Sequence, residues 1–372
     1  MISTETNGLP LASHPFERIL LIKPSSLGDI VHAMPVLHGL RRRFPNARID
    51  WLCAKAFVPL LEGHPDLTGV LSFDRGHFGR MDRSLSAVAD FIGFVRDLRS
   101  RRYDLTVDLQ GLFRTGFLSR ASGAPVRLGF RDAREGATIF YTHAIAADST
   151  AVHAVDRNFG VARSLGFPDA SVKFTLPISE RANTEAGRLL NGGGHREDFA
   201  RVVLAPGARW ETKVWPEEKF VETINELSAD GSAGCILVGS PGEVALCDRV
   251  AAQCRVPPLN LAGKTGVDVL AAVIRRADLV VCHDSAVAHV AAALNRPLLC
   301  LVGPTNHLRT GPYRRERDVI RLPLDCAPCY FRKLSQCGFQ HRCMRELASA
   351  TVWTAIRRSL NENQSPVKLG RL

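Results

Sequence analysis

The sequence predicts an α/β protein built from two Rossmann-like domains, and two observations support this fold class. Short apolar runs alternate with amphipathic helical stretches along most of the chain, which is the pattern of repeated βα units around a parallel sheet. The alternation forms two series, separated by a polar stretch at 179–198 that carries three consecutive glycines. The length of 372 residues also fits two domains, at roughly 100–200 residues each.

The first series begins at residue 18. Its predicted strands are short apolar runs, at 18–23, 47–53, 70–73 and 105–109. Its predicted helices have apolar residues at helical spacing, at 29–44, 55–61 and 84–99. These elements predict an N-terminal domain at 18–190, preceded by a loose, disordered tail at 1–17.

The second series follows the glycine-rich stretch. Its predicted strands lie at 202–205, 235–239, 279–282 and 297–302. Its predicted helices lie at 216–227, 243–253, 266–276 and 286–294. These elements predict a C-terminal domain at 200–350, followed by a helix within 351–372. Since ligands of such sheets bind beyond the carboxyl ends of the strands, we expect the chemistry in the loops at those ends.

The composition excludes several classes of protein. The sequence contains no run of about 18 apolar residues, so we expect no transmembrane helix. Residues 1–17 lack the basic start and the apolar core of a secretory signal. Ten cysteines are too few and too unevenly placed for a secreted disulfide scaffold. Cys53, Cys282 and Cys300 lie in apolar runs, which is typical of core residues in a reducing cytosol.

The charge favours an acidic partner. Lysine and arginine total 48 against 37 acids, for a formal charge of +11. Such a balance suits nucleic acid, an anionic membrane face or a phosphorylated substrate, although solvated helix faces also explain any single basic cluster. Only 7% of residues are aromatic, without a base-stacking pattern, so we do not expect a nucleic-acid partner.

The first candidate motif, KPSSLGDIVH at 23–32, follows the first strand and opens the first helix. Its small residues permit a tight turn with exposed N–H groups that can hold an anion. It is neither a Walker A loop nor a dinucleotide fingerprint. Asp29, at the helix start, has two interpretations that stay open: a helix cap, or a base that takes a proton from a hydroxyl nucleophile.

Two further motifs follow strands of the second series. In APGARWETKVWP at 205–216, Lys213 is a candidate cation for a phosphate, or an ordinary exposed lysine. In CHDSAVAH at 282–289, a strand ends before Asp284 and a helix starts near Ser285 and Ala286, with His289 one turn later. Such a helix start can bind a diphosphate; a capping pair with a packed histidine is the alternative.

Glu243 and a set of cysteines complete the candidates. Glu243 follows the loop 239–242 and can accept hydrogen bonds from a ribose, or serve as an acid at a helix N-terminus. Four cysteines could bind a structural zinc ion, with packed thiols or an occasional disulfide as alternatives. They are Cys326, Cys329, Cys337 and Cys343.

Together these segments resemble the ADP-heptose:lipopolysaccharide heptosyltransferases of glycosyltransferase family nine. The most specific pieces are KPSSLGDIVHAMPVL, DLQGLFRTG, TKVWPEEKF and DSAVAHVAAALNRPLLCLVGPTN. The similarity covers the chain from about residue 18 to the final helix. Residues 132–141 resemble the first heptosyltransferase, which acts on 3-deoxy-manno-octulosonic acid, whereas the cysteine-rich insert resembles other branches.

The resemblance implies a GT-B fold, with the two domains facing an interdomain cleft and the final helix crossing back to the first domain. It also implies an inverting, metal-independent transfer of a heptose. Asp29 matches the proposed base, with Lys23 and Ser26 in the same loop. The other implied site residues are Arg134 for the acceptor, Lys213 for the donor phosphate, Glu243 for the ribose, and Asp284 and His289 for the diphosphate.

Two positions depart from the family pattern. Ala286 stands where the family commonly has glycine. Its methyl group leaves less room between the backbone and a bound diphosphate. Ala208 and Arg209 replace a threonine pair often found before the lysine, so a guanidinium would take the place of hydroxyl contacts.

The resemblance implies an ADP-heptose donor and an acidic lipid-linked acceptor. It predicts a cytoplasmic enzyme in peripheral contact with the anionic inner face of the inner membrane, with no cofactor required for catalysis. Three alternatives remain: a transferase using another nucleotide sugar, a non-catalytic sugar-nucleotide-binding protein, and an epimerase of the same architecture, for which no matching catalytic set is found.

Overall fold

The computed structural model describes residues 5–6, 9–80, 82–147, 150–167, 171–192, 199–231 and 233–364. The chain divides into two compact units, Met1–Pro177 and Ile178–Leu372. Each unit contains one six-stranded sheet, and all strand pairs within these two sheets are parallel. The predicted class of two α/β Rossmann-like domains is confirmed.

In the first unit the strand order is β3-β2-β1-β4-β5-β6. The strands are β1 Arg18–Ile22, β2 Arg48–Ala54, β3 Gly69–Phe73, β4 Leu105–Asp108, β5 Val126–Phe130 and β6 His143–Ile145. The order reverses between β1 and β4, where the helices that follow the strands pass to opposite faces of the sheet. A crevice for a ligand opens at such a switch point, beyond the carboxyl ends of the strands.

The helices of the first unit follow its strands. They are α1 Leu27–Arg43, α2 Val58–Leu61, α3 Arg75–Phe78, α4 Leu85–Ser100, α5 Phe113–Ala121 and α6 Ala154–Ser164. Leu20 and Ile22 of β1 are fully buried, and they share a core with Leu98 of α4 and Leu118 of α5. Ile19 and Leu21, on the other face of β1, are also fully buried, so both faces are covered, as expected for the central strand of a parallel sheet.

The second unit repeats this topology, with strand order β9-β8-β7-β10-β11-β12. Its strands are β7 Ala200–Ala205, β8 Ala233–Leu237, β9 Leu259–Asn260, β10 Leu279–His283, β11 Leu298–Leu301 and β12 Val319–Ile320. Its helices are α7 Glu180–Gly192, α8 Glu217–Asp230, α9 Val244–Gln253, α10 Val267–Arg275, α11 Ala286–Ala293, α12 His307–Thr310, α13 Arg342–Arg345 and α14 Ser349–Gln364. None of the helices described is both long and apolar enough to span a bilayer.

The C-terminal helix α14 packs in the second unit. Val352, Ile356 and Leu360 recur at helical spacing and join the core formed by β7, Trp215 and Phe220. A contact of α14 with α8 accompanies this packing. The helix is therefore counted with the second unit, and its predicted return to the first domain stays a prediction. Residues 365–372 of this predicted element lie outside the described residues.

The predicted tail at 1–17 is partly packed. Residues 1–4 and 7–8 lie outside the described residues, and Glu5–Thr6 pairs antiparallel with Leu9–Pro10. Leu11 and Phe16 are buried, and the ring of Phe16 meets Phe44 edge-on at 5.6 Å between centroids. The prediction of a loose tail is therefore wrong for residues 11–16, because these apolar side chains are covered by the first unit.

The predicted polar linker at 179–198 is also wrong in its first part. Residues 180–192 form α7, which packs against α10 in the second unit. Its buried positions Ala182, Ala186 and Leu190 recur every four residues, so a narrow apolar stripe anchors an otherwise polar helix. The boundary between the units accordingly falls after Pro177 rather than within 190–200, and residues 193–198 lie outside the described part.

Candidate active site

The first group of candidate residues lies where β1 and β4 end. These strands are adjacent, with Ile22 opposite Asp108, so the loops that follow them meet at one edge of the sheet. Lys23 directly follows β1, and its Nζ donates to the carbonyl oxygen of Leu109 at 2.9 Å. The strand register thus joins two motifs that are 86 residues apart in the sequence.

Asp29 is the third residue of α1, and its two carboxylate oxygens have different surroundings. Oδ2 accepts hydrogen bonds from both the N–H and the hydroxyl of Ser26, each at 2.8 Å, as in a capping box. Oδ1 accepts no hydrogen bond from the described residues, and the side chain is 44% exposed. Asp29 therefore caps the helix with one oxygen and leaves the other available to a ligand.

Lys23 lies under this carboxylate. Its side chain is 7% exposed, and Nζ lies 3.9 Å from Asp29 Oδ1. Burial lowers the pKa of Lys23, although Asp29 and Asp108 oppose that shift. The lysine thus faces a carbonyl and a carboxylate of its own unit. From this position it can hold Asp29 in place electrostatically.

Asp108, at the end of β4, holds the loop that follows this strand. Its Oδ1 accepts from the N–H groups of Gln110 and Gly111, at 2.9 and 3.1 Å, and its Oδ2 accepts from the Tyr141 hydroxyl at 2.7 Å. Complete burial raises the pKa of Asp108. Gly129 makes this arrangement possible, because a Cβ at that position would lie 2.3 Å from the Tyr141 ring.

A cavity of about 210 Å³ adjoins these two loops. Arg75, Arg114 and Glu135 line it together with apolar side chains. Arg134 is exposed; its backbone N–H donates to Gly111 at 2.9 Å, and its charge contributes to lowering the pKa of Lys23. The predicted acceptor-side residues Lys23, Ser26 and Arg134 are therefore brought to the same edge of the first sheet as Asp29.

In the second unit the candidates gather where β7 and β10 end. Lys213, in the short 3₁₀ helix Glu211–Lys213, donates from Nζ to the carbonyl and to Oδ2 of Asp284, both at 2.8 Å. Oδ2 also accepts from Thr305 at 2.6 Å and Thr310 at 3.1 Å. Burial opposes ionisation of Asp284, but Lys213 and the hydrogen bonds outweigh it and lower the pKa of this carboxyl.

The ammonium of Lys213 has capacity left in this arrangement. Two of its three N–H donors are used by Asp284. The side chain is 14% exposed, and Nζ also lies 4.7 Å from the centre of the Trp210 ring. Lys213 therefore has a fixed position and one donor available to an anion.

The start of α11 lies beside this ion pair. Ser285 is its N-cap, yet the Ser285 hydroxyl is buried and has no hydrogen-bond partner among the described residues. Ala286 is the first helical residue, and His289 is buried and contributes to the low pKa of Asp284. The helix start therefore presents an unused hydroxyl next to its N–H groups.

Glu243 resembles Asp29 in its geometry. Its Oε2 accepts from the Ser240 N–H at 2.7 Å, in a capping box at the 3₁₀ helix Pro241–Glu243. Oε1 lies against Gly207, where an added Cβ would be only 2.1 Å from it. One oxygen therefore caps the turn, and the other lies beside the loop after β7. Arg209, in the same loop, is exposed.

A cysteine segment, defined here as residues 326–343, packs on the donor loop, defined as Glu211–Lys213. The Thr212 hydroxyl donates to the Phe331 carbonyl, and the Leu334 N–H donates to Glu211 Oε2 at 3.1 Å. A His341 ring nitrogen bonds the Thr212 carbonyl at 2.8 Å. These contacts join the cysteine segment to Glu211 and Thr212, the two residues that precede Lys213 in the donor loop.

Cys343 is the buried thiol of this segment. Burial raises the pKa of Cys343 to about 11, and Cys329, Cys326 and Cys337 add to that shift. All four are reduced in the structure. In the described ranges, no group of three or more His, Cys, Asp and Glu side chains is arranged to hold a metal ion. The predicted structural zinc is therefore not found in the geometry.

Reasoning from the sequence missed several residues of these groups. Asp108, Tyr141 and His283 received no role. Asp108 and His283 are polar residues at the ends of apolar strands, which was a usable signal. Tyr141 carries no such signal, because only the pairing of β5 with β6 brings it to Asp108.

His283 connects two loops of the second unit. Its Nε2 accepts from the Trp215 N–H at 2.9 Å, and Nδ1 lies 3.2 Å from the Gly207 carbonyl. With Nε2 accepting, Nδ1 carries the proton and the ring is neutral. Burial lowers the pKa of His283 to about 4.

Two parallel six-stranded sheets with polar loops at their carboxyl ends match a GT-B glycosyltransferase. The structure of Escherichia coli heptosyltransferase WaaC with ADP-2-deoxy-2-fluoro heptose is similar, with a TM-score of 0.67 and 26% identity, and the match covers 92% of this chain and 99% of that one. The fold class is thereby confirmed as GT-B.

The chain belongs to glycosyltransferase family 9, the heptosyltransferases, whose family model matches residues 92–338. Lipopolysaccharide heptosyltransferase 1 of Pseudomonas aeruginosa is 31% identical, covering 84% of this chain and 86% of that protein. Lipopolysaccharide core heptosyltransferase OpsX of Haemophilus influenzae is 26% identical, covering 88% and 90%. The protein is therefore a glycosyltransferase.

We expect the stability of the protein to fall between about pH 6.5 and pH 4 because of His283. The unfolded chain binds a proton on this histidine below its ordinary pKa of 6.5, whereas the folded chain resists protonation down to about 4. The linkage amounts to roughly 3 kcal/mol at the lower end of that window. Asp284 contributes its own loss only below its ordinary pKa of 3.8.

Urea unfolding across this pH range, compared between wild type and His283→Gln, tests the prediction. The variant should be less stable at pH 7 because it loses one of the two hydrogen bonds. Its stability should depend less on pH between 6.5 and 4. An equal slope in the two proteins would show that His283 does not carry the effect.

Proposed function

We propose that the protein transfers a heptose from ADP-heptose to the inner core of lipopolysaccharide, with inversion at the anomeric carbon. The observation that carries this proposal is the pair of loop clusters at the carboxyl ends of the two sheets. One cluster presents a carboxylate oxygen, Asp29 Oδ1, and the other presents a cation and a helix start. The names of the family 9 relatives support the same donor and acceptor classes.

Asp29 is the proposed general base. An acceptor hydroxyl gives its proton to Oδ1 while its oxygen attacks the anomeric carbon of the donor. The bond from that carbon to the β-phosphate oxygen breaks, and ADP leaves with the electron pair. Because Oδ2 is held by Ser26, the carboxylate is fixed in one orientation, and the Lys23 ammonium lies 3.9 Å from Oδ1.

The second unit is the proposed donor site. The departing diphosphate gains negative charge, which the third N–H of Lys213 and the N–H groups at the start of α11 can stabilise without a metal. Ser285 supplies an unused hydroxyl, and Ala286 and His289 flank it. Arg209, in the loop after β7, can reach a phosphate. Glu243 Oε1 can accept hydrogen bonds from the ribose hydroxyls.

Asp284 acts in this proposal as a positioning residue. Its carboxylate would repel a phosphate, but Asp284 holds Lys213 by accepting two hydrogen bonds from Nζ, one on Oδ2 and one on its backbone carbonyl. Thr305 and Thr310 satisfy the remaining acceptor capacity of Oδ2. The sequence-based interpretation of Asp284 as a diphosphate ligand is thereby refined: its contact with the donor is made through the lysine.

The acceptor is proposed to be an acidic, lipid-linked oligosaccharide, held by Arg134 beside Asp29. Such an acceptor implies a cytoplasmic enzyme in peripheral contact with the inner face of the inner membrane. A panel of nucleotide sugars and truncated lipopolysaccharides, with products identified by mass spectrometry, tests donor and acceptor together. Transfer from another nucleotide sugar, or epimerisation without transfer, would favour the alternatives.

We also propose that the cysteine segment has a structural role. Its hydrogen bonds to Glu211 and Thr212 support the loop that presents Lys213. The Arg332 guanidinium lies 5.0 Å from the centre of the Trp210 ring, which also receives Lys213. A zinc ion on the four thiols would strengthen this support, and it stays a prediction.

Asp29→Asn should lower the transfer rate by roughly 10²–10⁴-fold. The asparagine amide can still accept from Ser26 as a cap, but it cannot take a proton. Thermal melting and calorimetry with ADP should therefore match wild type while heptosyl product formation collapses. Ser26→Ala, which removes one cap donor and leaves the base, is the matched control with a much smaller loss. Near wild-type turnover by Asp29→Asn would end this assignment.

Lys213→Ala should weaken ADP binding by about 10–100-fold, because a charge-assisted contact contributes about 1.5–3 kcal/mol. The substitution also leaves the buried Asp284 carboxylate unpaired, so the informative variant is Lys213→Ala combined with Asp284→Asn. Arg358→Ala, on the exposed side of α14, is the control. Wild-type ADP affinity in the double variant would move the phosphate site elsewhere.

His341→Ala should raise KM for the nucleotide sugar severalfold with little change in kcat, because it removes one support of the Lys213 loop. Glu346→Ala, which loses only a surface pair with Arg342, should leave both constants unchanged. Elemental analysis of protein purified without added metal tests the zinc. A metal whose removal preserves the fold but abolishes turnover at saturating donor would contradict the structural role.

A further inference from the structure

An apolar surface on the first unit lies exposed beside the acceptor-side loops. Helix α4 carries Leu85, Ala89 and Ile92 on its outward side, and Leu85 is 88% exposed. An outward helix face in a globular protein is normally polar. The opposite face of the helix, with Ala87 and Leu98, is the one that meets the core.

The apolar surface continues onto α5 and the 3₁₀ helix Ala137–Phe140. Phe113 and Phe117 of α5 are exposed, and both rings contact Phe140, at 5.1 and 6.2 Å between centroids. Phe117 also stacks on Phe91 of α4 at 6.3 Å. Ile139 is 75% exposed. Ring contacts of Phe91, Phe117 and Phe140 therefore join the three elements. Each element carries exposed apolar side chains, and such a group marks an interaction site.

Arginines border this surface. Arg96 follows Ile92 by one turn of α4, Arg114 follows Phe113, and Arg120 lies one turn beyond Phe117. None of the three is in a salt bridge within the described part of the chain. Of the two acids of α4, Asp97 pairs with Arg101, and Asp90 is hydrogen-bonded to a ring nitrogen of His77. The surface therefore combines apolar side chains with three arginines, and Glu135 is the acid that contacts Phe113.

We propose that this surface docks the enzyme on an anionic lipid bilayer. Apolar and aromatic side chains enter the boundary between headgroups and acyl chains, while arginines bind lipid phosphates. A second copy of the chain fits less well, because a two-fold interface would place these arginines against one another. The docking side chains are Leu85, Ile92, Phe113, Phe117, Ile139, Arg96, Arg114 and Arg120.

The position of the surface fits this partner. Arg114 lines the cavity of about 210 Å³ that adjoins the Lys23–Asp29 loop, and Phe113 precedes it directly. A lipid-linked acceptor keeps its reactive sugar close to the bilayer, so an enzyme that docks here meets that sugar beside Asp29. This last step rests on the proposed function; the docking itself does not.

Vesicle co-sedimentation without nucleotide sugar or acceptor tests the docking. Wild type should bind vesicles of phosphatidylcholine mixed with phosphatidylglycerol more tightly than pure phosphatidylcholine, and salt should weaken binding. Leu85→Ser combined with Ile92→Ser should weaken binding by about tenfold, and Arg96→Glu by at least about fivefold. Val256→Ser removes a 58% exposed apolar side chain of the second unit and should have no effect.

Two outcomes would overturn the docking. Variants that bind anionic vesicles as tightly as wild type would show that the surface is not used. A wild-type dimer in sedimentation equilibrium that Leu85→Ser/Ile92→Ser dissociates would assign it to a second copy. Transfer assays separate the two proposals. The double variant should lose activity on a vesicle-embedded acceptor and keep it on a lipid-free acceptor, whereas a failure of wild type on both acceptors bears only on the proposed function.

Discussion

The parallel pairing of β1 with β4 and of β7 with β10 is the constraint on which both candidate sites depend. Parallel strands end at the same edge of a sheet, so pairing Ile22 with Asp108 brings Lys23 to the loop after β4. In the second unit, Cys282 lies opposite Ala205, which brings the loop of Lys213 to Asp284. The two halves of each site are about eighty residues apart in the sequence, and these two ladders are what brings them together in space.

Asp29 and Glu243 show how one carboxylate serves structure and chemistry together. Each is the third residue of its helix or turn. In each, one carboxylate oxygen accepts a hydrogen bond from a backbone N–H that the helix start leaves unsatisfied. The second oxygen of Asp29 accepts no hydrogen bond from the described residues, and the second oxygen of Glu243 lies against Gly207. The interpretations as cap and as functional acid, which compete in the sequence, are therefore compatible, because a carboxylate has two oxygens with separate acceptor capacity.

Buried polar groups give each site its rigidity. Asp108, Asp284 and His283 are almost fully buried, and each is satisfied by several hydrogen bonds from different segments. A buried group that lost these partners would cost free energy, so each network has essentially one arrangement. The cysteine segment extends this principle to the donor loop, since Thr212 is bonded to it on both its hydroxyl and its carbonyl.

The sequence alone determined the fold class and most of the central elements. The strands at 18–22 and 279–283 and the helices α1 and α11 are strongly apolar or strongly periodic, and they are found within a few residues of their predicted bounds. The short strands β5, β6, β9 and β12 escaped prediction, as did α5, α6 and α7. Three of these strands, β6, β9 and β12, have only two or three residues, too few to show a periodicity, and α7 buries only a narrow stripe.

The candidate residues Asp29, Lys213, Glu243 and Asp284 were also found from sequence, because each lies where the chain passes from a strand to the next helix. Their partners were decided only by tertiary structure. The pairing of Lys213 with Asp284 spans 71 residues, and that of Asp108 with Tyr141 spans 33. Local patterns tell which residues stand at the end of a strand, whereas strand order and register decide which of those ends meet.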